Sequence, residues 1–237
     1  MTNNIADASQ RKVARVAGLL YLLMAILGAF SMMYVDAKLY VSGDATATVT
    51  NILAFESLFR FGVASSLISI ILFSLVVHFL YKLLKSVDID LARLMVIFVV
   101  VSIPVGLNFY EFAPILLSKG AEYRTAFEPV QLQALAMTFL ELQKNGSLIG
   151  QIFWGLWLFP LGLLVFKSGF IPKVLGVLLM VGCCGYILNA LTILIFPDYK
   201  TITYLGSMIG FVAEILFIFW LLIKGVKNQN VAASKIS

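Results

Sequence analysis

The stretch LFRFGVASSLISIILFSLVVHFLYKLL, residues 58–84, is almost entirely apolar between Arg60 near its start and Lys82 near its end. A helix needs about 20 predominantly apolar residues to cross the hydrocarbon core of a bilayer. Residues 58–84 exceed that length, so the stretch predicts a membrane-spanning helix.

The composition of the whole chain indicates a membrane protein as well. Of its 237 residues, 61% are hydrophobic and only 12% are charged, whereas a soluble domain has about 25% charged residues. Such a chain cannot cover its surface with solvated groups, so lipid must be the solvent for much of it. The net charge of +5 is therefore not interpreted as a nucleic-acid-binding surface, and the expected partner is the lipid bilayer.

Five further segments are long and apolar enough to cross a membrane. The six predicted spans are residues 13–34, 58–84, 91–117, 147–166, 172–196 and 201–223. They predict an all-α fold, a polytopic membrane helix bundle with six transmembrane helices. This transmembrane domain occupies residues 13–226, between a cytoplasmic N-terminal tail at 1–12 and a cytoplasmic C-terminal tail at 227–237.

The orientation follows from the basic residues in the connections. Every second connection is rich in lysine and arginine, and so are both termini. These basic residues are Arg11, Lys12, Arg15, Lys82, Lys85, Arg93, Lys167, Lys173, Lys224, Lys227 and Lys235. The other connections mix basic with acidic residues. By the positive-inside rule, both termini are predicted to face the cytoplasm.

The N-terminal segment has a second interpretation. Basic residues at 11–15, an apolar run and the small residues AFS at 29–31 are typical of a cleaved signal peptide. The apolar run continues through Met32, Met33 and Tyr34, beyond the usual length of such a peptide. This length favours a first helix that is retained.

Helix boundaries are marked by capping residues. Gly169 is predicted to end the fourth span in a left-handed conformation, and Pro172 to lie in the first turn of the fifth. Ser42 or Asp44 is a predicted N-cap for helical structure before the second span. Residues 128–144, EPVQLQALAMTFLELQK, predict a short amphipathic helix on the outer surface or over the mouth of the bundle.

Several polar side chains are predicted to lie within the membrane. At a rise of about 1.5 Å per residue, Glu214 lies about 15 Å from the inner boundary, near the midplane. Asn108, Gln151 and Asn189 lie about 22–24 Å from that boundary, and Glu111 about one turn further out. Charged groups in hydrocarbon are costly and usually functional.

These polar residues have two interpretations. Glu214 shares a helix face with small glycines at four-residue spacing, and Asn189 lies on a similar face of the fifth span, so both are expected to face protein. Either the five residues line a polar pocket in the outer half of the bundle for a small-molecule or lipid-like ligand, or they form hydrogen bonds that hold the helices together.

Glu56 and Arg60 are predicted to form an outer entrance pair. They lie four residues apart at the start of the second span, a favourable spacing for an ion pair on a helix. The small residues of this span, from Gly62 to Ser69, point roughly opposite to Arg60. Either Arg60 extends to lipid headgroups, or the pair caps the outer pocket and offers Arg60 to an anionic group.

No catalytic residue, metal site or cofactor is predicted. His78 is the only histidine, and a metal site would need further ligands. The chain has no zinc-protease motif, nucleophile elbow or phosphate-binding loop. The leading hypothesis is a binding or transport protein. The alternatives are a membrane enzyme using Glu214 or Glu111 as acid–base group, and a structural or accessory subunit. The sequence indicates no oligomeric state.

Four motifs together resemble one known family. They are RVAGLLYLLMAILGAFSMMYV at 15–35, GDATATVTNILAFESLFRFG at 43–62, FEPVQLQALAMTFLELQKNGSLIG at 127–150 and KSGFIPKVLGVLLMVGCCGYI at 167–187. In this order they resemble the bacterial membrane family whose domain of unknown function is numbered 4386, from about Arg11 to Lys224. The resemblance implies a multi-pass protein of the bacterial cytoplasmic membrane, and it implies no activity. Many relatives have His in place of Trp157 and Asp in place of Asn189, which argues against a His–acid pair here.

Overall fold

The computed structural model describes residues 2–105, 113–196, 198 and 200–226, and their regular secondary structure is helical. The elements are α1 (Thr2–Ala29), a π-helical segment (Phe30–Val35), α2 (Asp36–Leu39), α3 (Ala45–Ala54), α4 (Glu56–Leu84), α5 (Ile89–Val105), α6 (Ala113–Lys119), α7 (Ala121–Ala126), α8 (Pro129–Leu156), α9 (Leu158–Ser168), α10 (Lys173–Ile195) and α11 (Lys200–Ile223).

Within the described residues, five helical runs are long and apolar enough to cross a membrane. They are Ser9–Leu39, Glu56–Leu84, Pro129–Ser168, Lys173–Ile195 and Gly206–Ile223. The remaining predicted span, 91–117, covers most of α5 and α6. Residues 106–112, between these two helices, lie outside the described part of the chain. The prediction of an all-α, multi-pass membrane protein is confirmed.

One predicted boundary differs from the structure. The predicted N-terminal tail at 1–12 belongs to the same helix as the first span, from Thr2 onward. The amphipathic segment at 128–144 is helical as expected, but it is part of α8 and is not a separate short helix. Gly146 lies between the two predicted helices. A glycine costs only about 1 kcal/mol relative to alanine inside a helix, which does not end a helix that has apolar residues on both sides.

The fourth predicted span is interrupted near its middle. α8 ends at Leu156, a turn lies at Trp157, and α9 begins at Leu158. Pro160 follows within the first turn of α9 and has no N–H for the carbonyl of Leu156, the residue four positions earlier. The proline thus explains the interruption.

The chain divides into two compact units. Unit 1 comprises Met1–Leu22, Leu72–Pro104 and Ile149–Ser237, and unit 2 comprises Leu23–Ile71 and Val105–Leu148. The most completely buried large side chains of unit 1 include Tyr21, Leu80, Met95, Trp157, Leu161, Leu164 and Phe217.

Glycines bring α10 and α11 into backbone contact within unit 1. A Cβ added at Gly185 would lie 2.0 Å from the carbonyl oxygen of Gly206, and one at Gly182 would lie 2.6 Å from Cα of Gly210. The two predicted small-residue faces therefore pack against each other. Such close approach lets helices associate by van der Waals contact where the hydrophobic effect is absent.

In unit 2, small and polar residues of α4 contact the first span. A Cβ added at Gly62 would lie 2.9 Å from the side chain of Val35. The hydroxyl of Ser65 donates to the carbonyl of Leu27 at 2.9 Å, and that of Ser69 donates to the carbonyl of Met24 at 3.0 Å. The small-residue face of α4 is thus the packed face.

Unit 2 also confirms a predicted cap. The carboxylate of Asp44 accepts from the backbone N–H of Ala47 at 2.8 Å, at the N-terminus of α3. Buried apolar side chains around α3 form two clusters. One contains Val35, Leu39, Ile52, Phe59, Val63, Ile115 and Leu140, and the other contains Val49, Leu117, Leu132 and Ala136.

The loops that carry basic residues in unit 1 are joined by an ion pair. Gly169 ends α9 with φ 72°, as predicted, and Pro172 directly precedes α10. Two residues before Gly169, the Lys167 ammonium donates to Asp88 Oδ2 at 3.0 Å, and Asp88 Oδ1 accepts from the N–H of Leu91 at 3.2 Å. Chiefly through the hydrogen bond from Lys167, the pKa of Asp88 is lowered from its ordinary value.

Candidate functional site

Glu214 is the centre of a polar cluster in unit 1. Its Oε1 accepts a hydrogen bond from the Tyr186 hydroxyl at 3.0 Å, and its Oε2 accepts one from the Tyr21 hydroxyl. The three residues lie on α11, α10 and α1. One carboxylate is therefore held by hydroxyl groups from two other helices.

Tyr186 reaches Glu214 because glycines leave room for its side chain. A Cβ added at Gly210, one turn before Glu214 on α11, would lie 2.8 Å from the ring of Tyr186. A Cβ added at Gly155 on α8 would lie 2.9 Å from Cβ of Tyr186. The tyrosine therefore occupies a slot between two helices, and the slot directs its hydroxyl toward the carboxylate.

Tyr21 is placed by a second close approach and by aromatic contacts. A Cβ added at Gly18 would lie 2.9 Å from Cβ of Leu221, so α1 and α11 are in tight contact one turn before Tyr21. The Tyr21 ring lies 5.9 Å from the Trp157 ring, which in turn contacts Phe73 edge-on at 5.0 Å. Tyr21 and Trp157 are each 1% exposed, so the Tyr21 hydroxyl approaches Glu214 from a fully packed interior.

A second pair of polar side chains, Asn189 and Gln151, includes a residue close to Tyr186 along the chain. The Asn189 amide nitrogen donates to Gln151 Oε1 at 3.0 Å, joining α10 to α8. Asn189 is three residues after Tyr186, so the two side chains share a face of α10. The amide pair and the carboxylate cluster thus use the same face of one helix.

The structure brings together some of the predicted pocket residues. Asn189 and Gln151 are in direct contact, and Glu214 is linked to the same face of α10 through Tyr186. Asn108 and Glu111 lie outside the described residues. Their proposed part in a pocket therefore stays a prediction.

Two members of the cluster were not predicted from the sequence. Tyr21 and Tyr186 each lie inside an apolar run, where an aromatic residue is normally interpreted as a packing residue of the core. The signal was present for Tyr186, which lies four residues after Gly182 and three before Asn189, on the face that was predicted to be packed. Tyr21 likewise lies three residues after Gly18, on the face that contacts α11.

The ion pair predicted between Glu56 and Arg60 is formed, and it has a third member, while its place at an outer entrance stays a prediction. Arg60 Nε donates to Glu56 Oε1 at 2.8 Å, and the Lys119 ammonium donates to Glu56 Oε2. The side chain of Glu56 is 21% exposed, compared with 51% for Arg60 and 59% for Lys119. The small-residue face of α4 packs against the first span, and the two placements of Arg60, toward lipid headgroups or over a pocket, stay predictions.

No metal-binding group is evident in the part of the chain that the structure describes, since no three His, Cys, Asp or Glu side chains are grouped there in a way that could hold an ion. The side chains of the Glu214 cluster and of the neighbouring amide pair are one carboxylate, two phenols and two amides. Such groups can bind hydrogen-bond donors and acceptors, and they can take up or release a proton.

Comparisons with known proteins identify a family. Residues 16–225 match the family described as "Domain of unknown function (DUF4386)". An uncharacterized protein of the archaeon Archaeoglobus fulgidus is 44% identical over 86 residues, 36% of this chain and 50% of that protein. The chain thus spans about half the length of this relative, and similar sequences are not confined to bacteria. No solved structure matches the chain. Because the family match extends from residue 16 to 225, the chain belongs to the family of domain of unknown function 4386.

Proposed function

We propose that this membrane protein binds or translocates a small or lipid-like ligand in the outer half of its helix bundle, with Glu214 as the principal ligand-binding group. The observation that carries this proposal is the double hydrogen bond to Glu214 from Tyr21 and Tyr186. An ionisable group within a membrane span is costly to keep, and in membrane proteins such groups commonly mark ligand or ion pathways.

The geometry supports a mechanism of exchange. A ligand with a hydroxyl or ammonium group would compete with Tyr21 or Tyr186 for the oxygens of Glu214. Replacing one of these hydrogen bonds would release α1 or α10 from its polar contact with α11. A ligand shifts a conformational equilibrium only through such differential contacts. Binding at Glu214 would in this way be coupled to helix movement, as binding or transport requires.

The amide pair supplies a second polar contact on the same face of α10. Asn189 lies about one turn beyond Tyr186 on α10, and its amide contacts that of Gln151. Both side chains offer hydrogen-bond donors and acceptors and stay uncharged at any pH. A ligand with two polar groups would use both the carboxylate and the amides. Glu111 and Asn108 are proposed to extend this set outward.

The competing proposal is a purely structural function, in which the same contacts hold the helices together. Against it, hydrogen bonds between membrane helices contribute only about 0.6 kcal/mol on average, so a neutral residue at position 214 would stabilise the packing nearly as well. An enzyme receives less support. At the two positions where the resemblance implies His and Asp in many relatives, Trp157 offers only an indole N–H and Asn189 an amide, and neither transfers protons readily.

We further propose that the protein resides in the cytoplasmic membrane with both termini inside. The basic loops support this orientation, because lysine and arginine are retained on the cytoplasmic side. The two ends of α4 differ accordingly, with Lys82 in its last turn and Lys85 directly after it, and Glu56 in its first turn and Asp44 before it.

Native mass spectrometry of the gently purified full chain tests the ligand proposal. The wild type is compared with Glu214→Gln and with Glu122→Gln, which removes an exposed carboxylate of α7. We expect a small molecule or lipid to co-purify with the wild type and Glu122→Gln and to be lost from Glu214→Gln. If all three carry the same species, or if none carries one while Glu214→Gln alone loses stability, the structural function is the correct one.

A further inference from the structure

A groove in unit 1 lies between α4 and α5, apart from the Glu214 cluster. Its volume is about 460 Å³, within the range of about 300–1,000 Å³ that is usual for ligand sites. It is lined by Ser74, His78 and Tyr81 of α4 and by Arg93, Ile97 and Val100 of α5, with further valines between them. None of these residues belongs to the cluster on which the proposed function rests.

One end of the groove is basic. Arg93 and His78 line it, and the Lys85 ammonium lies 5.8 Å from the ring centroid of Tyr81, which lines it too. Asp90 is the acid that contacts Arg93, at 3.4 Å, and the Arg93 side chain is still 65% exposed. The guanidinium therefore has donors available for an anion.

The other end of the groove is apolar. Ile97 and Val100 lie four and seven residues beyond Arg93, so the apolar lining extends about 10 Å along α5 from the guanidinium. Ile97 is 54% exposed and Val100 is 57% exposed, although both are apolar. An apolar surface with a basic end at the loop side of a helix pair fits an amphiphile with an anionic head.

We propose that this groove binds an anionic phospholipid of the surrounding membrane. The lipid phosphate would accept hydrogen bonds from Arg93 and lie near His78 and Lys85, while an acyl chain lies along Ile97 and Val100. Guanidinium groups form strong, charge-assisted hydrogen bonds with phosphate, and basic pockets between membrane helices at the cytoplasmic side are known to bind anionic headgroups. The hydroxyl of Tyr81 is a further donor for the headgroup.

The groove is less suited to a soluble anion. Most of its lining is valine and isoleucine, which contributes nothing to the binding of free phosphate but binds a hydrocarbon chain. The two halves of the lining therefore indicate one molecule that has both a phosphate and an acyl chain.

The test is native mass spectrometry of the full chain in a neutral detergent, titrated with phosphatidylglycerol or with zwitterionic phosphatidylcholine. We expect the wild type to retain one phosphatidylglycerol in preference to phosphatidylcholine. Arg93→Gln should weaken this retention about tenfold, since one charge-assisted contact is lost. Lys224→Gln removes a basic residue that directly follows α11, outside the groove, and should leave the retention unchanged.

A second variant tests the apolar half of the groove. Val100→Trp keeps every charge and fills the groove with an indole ring. Because Val100 is exposed, the larger side chain should be accommodated without disturbing the core. We expect this variant to lose the retained phosphatidylglycerol. Equal retention by Arg93→Gln and the wild type would overturn the proposal. Equal weakening by Arg93→Gln and Lys224→Gln would overturn it as well, because it would show diffuse attraction to anionic lipid rather than a site.

Discussion

The Tyr186 hydroxyl donates to Glu214 Oε1 at 3.0 Å, from α10 to α11. The ring of the same tyrosine lies against Gly210, one turn before Glu214. Tyr186 thus contacts two successive turns of α11, with its ring on one and its hydroxyl on the next. The packing of the glycine and the position of the carboxylate are consequently coupled.

Removing the hydroxyl of Tyr186 should weaken the bundle slightly. Tyr186→Phe keeps the ring against Gly210 and leaves Glu214 with the hydrogen bond from Tyr21. Because hydrogen bonds between membrane helices contribute about 0.6 kcal/mol on average and up to about 1.7 kcal/mol, we expect a loss of unfolding free energy in that range. Unfolding by sodium dodecyl sulfate in mixed micelles measures it.

The control for this variant is Tyr34→Phe. The Tyr34 ring stacks on Phe30 at 5.6 Å and the residue is 54% exposed, so loss of its hydroxyl should have little effect. A loss of the same size in both variants would contradict a specific role for the bond between Tyr186 and Glu214.

Substitution of Gly185 should be much more harmful. The Cβ of an alanine would lie 2.0 Å from the backbone carbonyl oxygen of Gly206, which cannot rotate away as a side chain can. Overpacking of this kind typically costs about 1–3 kcal/mol. We therefore expect Gly185→Ala to lower the melting temperature in detergent clearly, and to separate α10 from α11.

Gly150→Ala provides a matched control. The added Cβ would lie 3.6 Å from its nearest neighbour, the Trp154 ring, which is an ordinary contact distance. Alanine also has the higher helix propensity, so this variant should melt at or above the wild-type temperature. If Gly150→Ala and Gly185→Ala were equally destabilised, a clash specific to Gly185 would not explain the loss. The close approach of α10 and α11 at Gly185 would then be wrong.

The ion pair between Lys167 and Asp88 should make stability depend on pH in acid. The pKa of Asp88 is lowered in the folded protein, chiefly by the hydrogen bond from Lys167. A lowered carboxyl pKa stabilises the folded state above the unfolded value, about 3.9. That contribution is lost as pH falls from about 4 through the folded pKa, because the carboxylate becomes protonated.

The measurement compares melting temperatures of the wild type and Asp88→Asn across this range. Asparagine retains an oxygen for the N–H of Leu91, so the variant removes the charge and keeps the cap. We expect the wild type to be more stable at pH 6 and the difference to vanish in strong acid. Asp90→Asn removes a carboxylate that is 85% exposed and should have a smaller effect. A difference between the wild type and Asp88→Asn that does not change with pH would contradict the assignment.

The orientation of the bundle can be tested at the two ends of α4. Ser42 and Ser86 are exposed and lie beyond opposite ends of this span. In a background with Cys183 and Cys184 replaced by alanine, a membrane-impermeable maleimide should label Ser42→Cys on intact cells. It should label Ser86→Cys only after permeabilisation. The reverse pattern would show that the termini face outward.

The helical, multi-pass character of the chain was largely predictable because long apolar runs have few alternatives in a bilayer. Local signals were equally direct, as Gly169 and Asp44 show. The continuity of α8 was not predicted. Whether a glycine such as Gly146 ends a helix depends on tertiary packing on both sides of it, and the local sequence does not contain that information.

The candidate site was only half predictable. Glu214, Asn189 and Gln151 are conspicuous because they are polar in apolar surroundings. Tyr21 is not conspicuous, because its ring belongs to the core and only its hydroxyl belongs to the site. Lys119 was missed as a partner of Glu56 for a different reason, since the two residues are 63 positions apart and spacing rules apply only within one helix.

The two tyrosines that hold Glu214 differ greatly in their distance along the chain, and this separation has a consequence for the order of assembly. Tyr186 is 28 residues from Glu214, on the preceding helix, whereas Tyr21 is 193 residues away. Neighbouring helices meet at a low cost in chain entropy, and α10 and α11 have complementary glycines. This hairpin can therefore form as soon as α11 enters the bilayer, with Tyr186 already bonded to the carboxylate. Helix α1, which is synthesised before α10 and α11, then supplies the last hydrogen bond, and its packing completes the shielding of Glu214 from lipid.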